Sequence, residues 1–206
     1  MPELALALYV VYMGLAFGWR SYVQWRRTGS TGFVGMRGRP GSVEWLAGLL
    51  FVLAVVAGVA APVLTLAGAL DPIDPLDGTV GHVAGVALSV AGLAGTLYAQ
   101  MAMGASWRIG VDPEERTELV TTGPFALVRN PIFAAMLPTS LGLALLVPNA
   151  VAVAGFVGLI VALELQTRAV EEPYLLATHG NAYRAYAARV GRFIPGVGRL
   201  RDTGDG

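Results

Sequence analysis

The sequence predicts an all-α, polytopic membrane protein with five transmembrane helices, an outside N-terminus and a cytoplasmic C-terminus. Of its 206 residues, 55% are hydrophobic and 14% are charged, whereas a soluble domain has roughly 25% charged residues. Five apolar runs are separated by short polar segments, and all fourteen basic residues are arginines. These arginines occur in alternate connections, which is typical of a membrane protein that keeps its basic segments in the cytoplasm.

The positions of the arginines orient the chain. Five follow the first apolar run, three lie between the third and fourth runs, and six follow the fifth. They are Arg20, Arg26, Arg27, Arg37 and Arg39; Arg108, Arg116 and Arg129; and Arg168, Arg184, Arg189, Arg192, Arg199 and Arg201. The connections at 70–79 and 148–149 carry none, so they are predicted to face out. We therefore expect the functional site on the cytoplasmic side.

The first three spans are predicted within residues 1–103. A span needs about 20 apolar residues, and the runs are Leu4–Val23, Val43–Leu66 and Val80–Met103. The first run lacks a preceding basic region and a small-residue cleavage site, so we expect a retained helix and not a signal peptide. The third run is rich in glycine, which lets helices approach closely in lipid.

The last two spans are predicted to form a tight helical hairpin at 132–166. The runs Ile132–Val147 and Ala150–Gln166 are separated only by Pro148-Asn149. Before the hairpin, residues 104–131 contain too many glycine and proline breaks for one helix and are predicted to form a cytoplasmic loop.

The predicted tail is helical from 169 to 190, with a break at His179-Gly180. Residues 196–206 are expected to be disordered, and 1–206 to form one membrane-embedded domain. The chain has no cysteine and only two distant histidines, so no metal site is expected. A net charge of zero without a basic stripe gives no indication of nucleic-acid binding.

Two cytoplasmic segments could carry chemistry. Glu171-Glu172 beside Arg168 could recognise a cationic or hydroxyl-bearing ligand, or could cap the tail helix, where acids are favoured. Arg129 lies between two rigid turns, Gly123-Pro124 and Asn130-Pro131. It could bind a carboxylate or phosphate, or could anchor the chain at the membrane interface.

Several short motifs follow one another in the C-terminal half. They are Gly123-Pro124-Phe125, Arg129-Asn130-Pro131-Ile132-Phe133, Glu171-Glu172-Pro173-Tyr174-Leu175, Gly180-Asn181-Ala182-Tyr183-Arg184-Ala185-Tyr186 and Arg192-Phe193-Ile194-Pro195. In this order they resemble the isoprenylcysteine carboxyl methyltransferase and phospholipid methyltransferase superfamily of integral-membrane enzymes. The resemblance covers residues 107–195, and the first two spans carry none of it.

The resemblance implies an enzyme that binds S-adenosylmethionine at the cytoplasmic face and releases S-adenosylhomocysteine. Its acceptor would be a membrane lipid or another lipophilic small molecule that enters from the bilayer, and residues 104–195 would form the catalytic half. The cofactor-binding residues that it implies are Leu119, Val120, Gly123, Phe125, Asn130, Pro131, Phe133 and Glu171. Arg129, Arg168 and Glu172 are the candidate catalytic residues, which would hold the acceptor and support the cofactor site.

Three positions depart from the superfamily pattern. The usual histidine is Asn130, which forms hydrogen bonds but does not titrate near neutral pH. The usual tyrosine is Phe133. The usual arginine four residues before the first glutamate is Thr167, with Arg168 next to it, which is a rotation of roughly 100° on a helix.

The residues leave the acceptor and two rival functions open. A carboxylate acceptor needs only an arginine to hold it, whereas an amine must lose a proton, which Glu171 or Glu172 could take. The alternatives are a small membrane transporter or binding protein, and an NADPH-dependent membrane reductase. In each case we expect a multi-pass protein of a bacterial inner membrane.

Overall fold

The computed structural model of the chain describes residues 1–33, 35, 38–107 and 118–200. Within these ranges the secondary structure is helical, with an isolated bridge between Val128 and Gly191 and no β-strand. The predicted all-α class is confirmed. Four of the arginines used to orient the chain, namely Arg37, Arg108, Arg116 and Arg201, lie outside the described residues.

Helices account for most of the described chain, and short 3₁₀ turns at Gly104–Ser106 and Gly123–Ala126 lie between the third and fourth. The helices are α1 (Pro2–Thr28), α2 (Val43–Leu66), α3 (Thr79–Met103), α4 (Pro131–Leu146), α5 (Ala150–His179) and α6 (Asn181–Arg189). By length and apolar composition α1, α2, α3 and α5 could each cross a membrane, whereas α4 has only 16 residues. The chain is thus a multi-helix membrane protein, and the fifth span and the orientation stay predictions.

Helix α5 is longer than its apolar run. It passes beyond Gln166, where the predicted span ends, through a π-helical turn at Gln166–Glu171 and on to His179. Pro173, which has no N–H to donate, is the second residue after this turn. The helix ends where Gly180 takes a positive φ of 52°, so the predicted break is present.

Helices α3 and α4 pack backbone against backbone. A Cβ atom added to Gly142 would lie 2.5 Å from the carbonyl oxygen of Gly85 and 2.7 Å from the amide nitrogen of Ser89. Lipid provides no hydrophobic drive for helices to associate, so such close van der Waals packing has to hold them together. The glycines predicted to allow close approach therefore lie at this interface.

Asn149 joins the hairpin to α2. Its side chain is fully buried, and its amide nitrogen donates to the carbonyl oxygen of Ala61 (3.0 Å) and the hydroxyl of Thr65 (2.9 Å). Its amide oxygen accepts from the backbone N–H of Ala152 and so caps α5. One side chain thus fixes both the turn and the position of α5 against α2.

We expect Gly142→Ala to lower the free energy of unfolding by about 1–3 kcal/mol, because the new methyl group meets backbone that cannot move aside. Gly158→Ala is the matched control, since a Cβ atom there meets nothing within 4 Å. The control should be neutral or stabilising by up to about 1 kcal/mol. Denaturant titration in mixed micelles measures both, and equal effects would contradict this packing.

Candidate functional site

A cavity of about 720 Å³ lies among the helices, beside the loop that precedes α4. Helices α1 to α5 and the segment 118–131 surround it. Most of the residues assigned by the motif pattern line it: Leu119, Val120, Phe125, Arg129, Asn130, Pro131, Phe133 and Glu171. Gly123, Arg168 and Glu172 are not on its wall. The structure therefore brings two segments far apart in sequence to one site.

The loop before α4 is shaped by a turn and held by the C-terminal segment. Gly123 has a φ of 60°, which favours glycine, and the following 3₁₀ turn buries Phe125. The hydroxyl of Tyr186 donates to the carbonyl oxygen of Phe125 at 2.6 Å. Burial raises the pKa of Tyr186 to about 12, so the hydroxyl keeps its proton at neutral pH.

The terminal motif pairs with the start of α4. The backbone N–H of Arg129 donates to the carbonyl oxygen of Gly191 (2.8 Å), and that of Asn130 donates to the carbonyl oxygen of Arg192 (3.1 Å). These bonds fix the direction in which Asn130 and Pro131 enter the cavity wall. Two motifs separated by about sixty residues thus act as one unit.

A buried ion cluster, formed by Arg129, Glu172 and Arg192, lies behind the cavity. Arg129 Nη2 donates to Glu172 Oε1 at 2.6 Å. Arg192 donates to the same carboxylate from Nε (2.8 Å) and Nη2 (2.9 Å). Burying an ion is expensive unless it is paired and hydrogen-bonded, and here both oxygens of Glu172 have charged donors.

The Nη groups of Arg129 also bind within the protein, whereas its buried Nε–H has no hydrogen-bond partner among the described residues. Nη1 donates to the carbonyl oxygens of Ala187 (3.0 Å) and Val190 (2.5 Å), and Nη2 donates to that of Gly198 (3.0 Å). The carboxylate that Arg129 holds is therefore an internal one. These bonds also pack residues 196–200, which the sequence assigns to a disordered tail, against α6; residues 201–206 lie outside the described part.

The two adjacent acids face different surroundings. Glu171 lines the cavity, whereas Glu172 faces the two arginines. Successive residues on a helix point about 100° apart, and the π-helical turn ends at Glu171. π-helical turns are frequent at functional sites, because they rotate the side chains that follow them.

Arg168 lies away from the cavity wall. Its Nε donates to Glu164 one turn earlier at 2.5 Å, and its side chain is 62% exposed. Thr167, which holds the position of the superfamily arginine, is fully buried. Of the three candidate catalytic residues, one is exposed beside the site and two belong to the ion cluster.

The first two helices contribute much of the cavity wall, which the motif pattern did not indicate. Tyr12 and Phe17 of α1 and Phe51 of α2 line it. Arg20 is 3% exposed and lies 4.5 Å above the ring of Trp107, another lining residue. This buried cation on an aromatic face joins α1 to the segment that follows α3. The sequence signal for this contribution was one arginine and the tyrosines within the first apolar run.

The charged residues along the described cavity wall are mostly acidic. Glu44, Glu118 and Glu171 line it together with Arg129, whose donors serve Glu172 and three backbone carbonyls. Acids at the mouth of a largely apolar cavity favour a ligand with positive charge, since field lines concentrate where solvent is scarce. The wall therefore suits a cation better than an anion.

We expect Glu172→Gln to lower the free energy of unfolding by about 3–5 kcal/mol, because it leaves two buried guanidinium groups without their counter-ion. Glu164→Gln on the same helix is the matched control, and its exposed pair with Arg168 should contribute only about 0–1 kcal/mol. Denaturant titration of the two variants in one detergent makes the comparison. Similar losses would show that the cluster does not hold the fold together.

A comparison with known protein families agrees with the family resemblance of the motifs. A family model described as phospholipid methyltransferase matches residues 80–182, which is half of the chain. The match includes α3, the loop with Phe125 and Asn130, the hairpin and both adjacent glutamates. Neither a curated protein nor a solved structure gives a significant match. On the extent of the family match, together with helices that could span a membrane, this chain belongs to the phospholipid methyltransferase family.

Proposed function

We propose that this protein is an S-adenosylmethionine-dependent methyltransferase that methylates an amine-bearing membrane lipid at the cytoplasmic face of a bacterial inner membrane. One observation carries the proposal. Seven of the eight residues that the motif pattern assigns to the cofactor line a single cavity, in a chain that belongs to a phospholipid methyltransferase family. The face and the membrane follow from the placement of the arginines.

The chemistry of the cavity wall fits the cofactor. Its volume lies within the range of roughly 300–1,000 Å³ that small-molecule sites have. Leu119, Val120 and Phe125 offer an apolar, partly aromatic surface for a flat base. Glu171 offers negative charge to the cationic groups, and Asn130 can donate or accept hydrogen bonds. When bound, S-adenosylmethionine supplies a methyl group on a positive sulfonium, which is electrophilic without a metal.

The acids of the wall favour an amine over a carboxylate as the methyl acceptor. A carboxylate would approach Glu44, Glu118 and Glu171, and Arg129 already holds Glu172. An amine must lose a proton before it attacks, and Glu171 is placed on the wall to take it. Glu172 is a positioning residue, because its oxygens are occupied by Arg129 and Arg192.

Arg168 would bind the phosphate of the lipid head group. It is exposed three residues before Glu171, and a guanidinium group matches the geometry of a phosphate. The head group would then lie with its phosphate outside the cavity and its amine inside. Alignment of the amine and exclusion of water provide the remaining catalysis.

No observation favours the rival functions. An NADPH-dependent reductase needs cations for the extra phosphate of its cofactor, and the cation on the described wall, Arg129, is already paired. A transporter needs a polar path through the bundle. The space between α1, α2, α4 and α5 is bordered mainly by apolar side chains. It does not provide such a path.

We expect the solubilised protein to bind S-adenosylhomocysteine in the micromolar range, and Glu171→Ala to weaken this binding by about 10–100-fold, the value of a charge-assisted hydrogen bond. Calorimetric titration measures both. Glu164→Ala is the matched control on the same helix and should bind like wild type. Folded wild-type protein that binds NADPH and not S-adenosylhomocysteine would overturn the proposed function.

We expect Arg168→Ala to raise the KM for vesicles of phosphatidylethanolamine by about tenfold, because it removes a charged contact with the phosphate. The affinity for S-adenosylhomocysteine should not change. Arg168→Lys should restore part of the effect, since it keeps the charge but not the bidentate geometry. Transfer of a labelled methyl group to the lipid gives the readout, and an unchanged KM would remove Arg168 from the site.

A further inference from the structure

Gln100 of α3 is a buried amide on the cavity wall, and one of its two polar atoms is unused. The residue is 2% exposed and lines the cavity. Its Nε2 donates to the carbonyl oxygen of Ala16 on α1 at 2.8 Å, whereas its Oε1 has no hydrogen-bond partner among the described residues. A carbonyl oxygen only accepts, so the amide nitrogen must face Ala16 and the oxygen must be the free atom.

Helix packing does not explain this unpaired oxygen. A buried amide can hold two helices together in a membrane, and the bond to Ala16 does so for α1 and α3. That bond uses the nitrogen alone. Because an unpaired buried acceptor costs free energy, the oxygen is available to a hydrogen-bond donor of a ligand in the cavity.

The surroundings of Gln100 are those of a binding site. Its bond partner lies in the π-helical turn Gly14–Trp19 of α1, and the π-helical turn Gln166–Glu171 of α5 ends at the acid on the wall. Both turns contribute lining residues, and such turns are frequent at functional sites. One helical turn before Gln100, the hydroxyl of Thr96 lies 3.3 Å from that of Tyr12, so these two lining residues already pair with each other.

A ligand group that meets this oxygen must donate a hydrogen bond, and the acceptor amine does so. The motif pattern assigns the cofactor to residues 119–133 and Glu171, whereas Gln100 bridges α1 and α3. Once Glu171 has taken one proton, a primary amine keeps two N–H groups and a lone pair. The lone pair forms the bond to the methyl carbon as the carbon–sulfur bond breaks and leaves its electrons on sulfur. An amide oxygen can hold an N–H meanwhile, because it accepts a hydrogen bond without taking the proton.

We propose that Gln100 determines how many methyl groups the amine receives, because it binds amines that keep an N–H when they attack. The proposal rests on the proposed function. A primary amine keeps two N–H groups and a monomethylated amine keeps one, so Gln100 holds both. A dimethylated amine keeps none after Glu171 has taken its proton. The protein therefore transfers two methyl groups readily and the third slowly, and the dimethylated lipid accumulates.

The three successive acceptors test the proposal. They are phosphatidylethanolamine and its N-methyl and N,N-dimethyl derivatives in mixed micelles, and transfer of a labelled methyl group is the readout. In wild type we expect kcat/KM for the first two to exceed that for the third by about tenfold, roughly the value of one hydrogen bond. Gln100→Met should lower kcat/KM for the first two by about tenfold and leave the third unchanged, because it removes the oxygen at nearly constant volume.

Ser89→Ala is the matched control on the same helix. Ser89 is 3% exposed and its hydroxyl also has no partner among the described residues, but it does not line the cavity. This variant should keep the wild-type preference. Gln100→Leu is a second variant without the oxygen, for use if Gln100→Met does not fold. The affinity for S-adenosylhomocysteine, measured by calorimetry, should be unchanged in every variant.

The outcomes separate the two proposals. A wild-type third transfer as fast as the first, or an equal loss on all three lipids in the Gln100 variants, would overturn the role of Gln100 alone. A lower affinity of these variants for S-adenosylhomocysteine would place the oxygen against the cofactor and would overturn it as well. Folded wild-type protein that does not bind S-adenosylhomocysteine would overturn the proposed function itself.

Discussion

The buried ion cluster of Arg129, Glu172 and Arg192 is the interaction on which the site depends. It joins the loop before α4, the extended end of α5 and the C-terminal segment, and Arg129 adds backbone contacts to α6. Because an unpaired buried charge is strongly destabilising, the three groups must come together for any of these segments to take its place. Glu172 belongs to the cluster, whereas the neighbouring Glu171 lies on the cavity wall.

The helices are held together by contacts of a different kind. In lipid the apolar faces gain nothing by meeting each other, so contact is secured by glycines at the α3–α4 interface and by the buried amide of Asn149. Such contacts are rigid and specific. Helices α2 and α5 also approach closely, since a Cβ atom added to Gly155 would lie 2.7 Å from Cβ of Ala57.

The cavity wall offers the proposed reaction two environments, one acidic and one apolar. Glu44, Glu118 and Glu171 lie on the wall and suit the proposed cationic cofactor and amine, whereas Arg168 lies outside the wall. The rest of the wall is largely apolar and includes the aromatic rings of Phe17, Phe51 and Phe125. The proposed methyl transfer depends on alignment, which a cavity that holds cofactor and amine together would supply.

The sequence by itself determined the all-helical class, the apolar runs, the break at Gly180 and the family, because each depends on local composition or on the order of motifs. Eight of the eleven residues that the motif pattern assigned to the site line the cavity. Only the tertiary structure decided that Arg129 pairs with Glu172, 43 residues away. It also decided that α1 and α2 form part of the wall, and that Arg168 lies outside it while Thr167 is buried. The physical reason is that ion pairing over such distances and the rotation imposed by a π-helical turn depend on how helices pack, which no local pattern encodes.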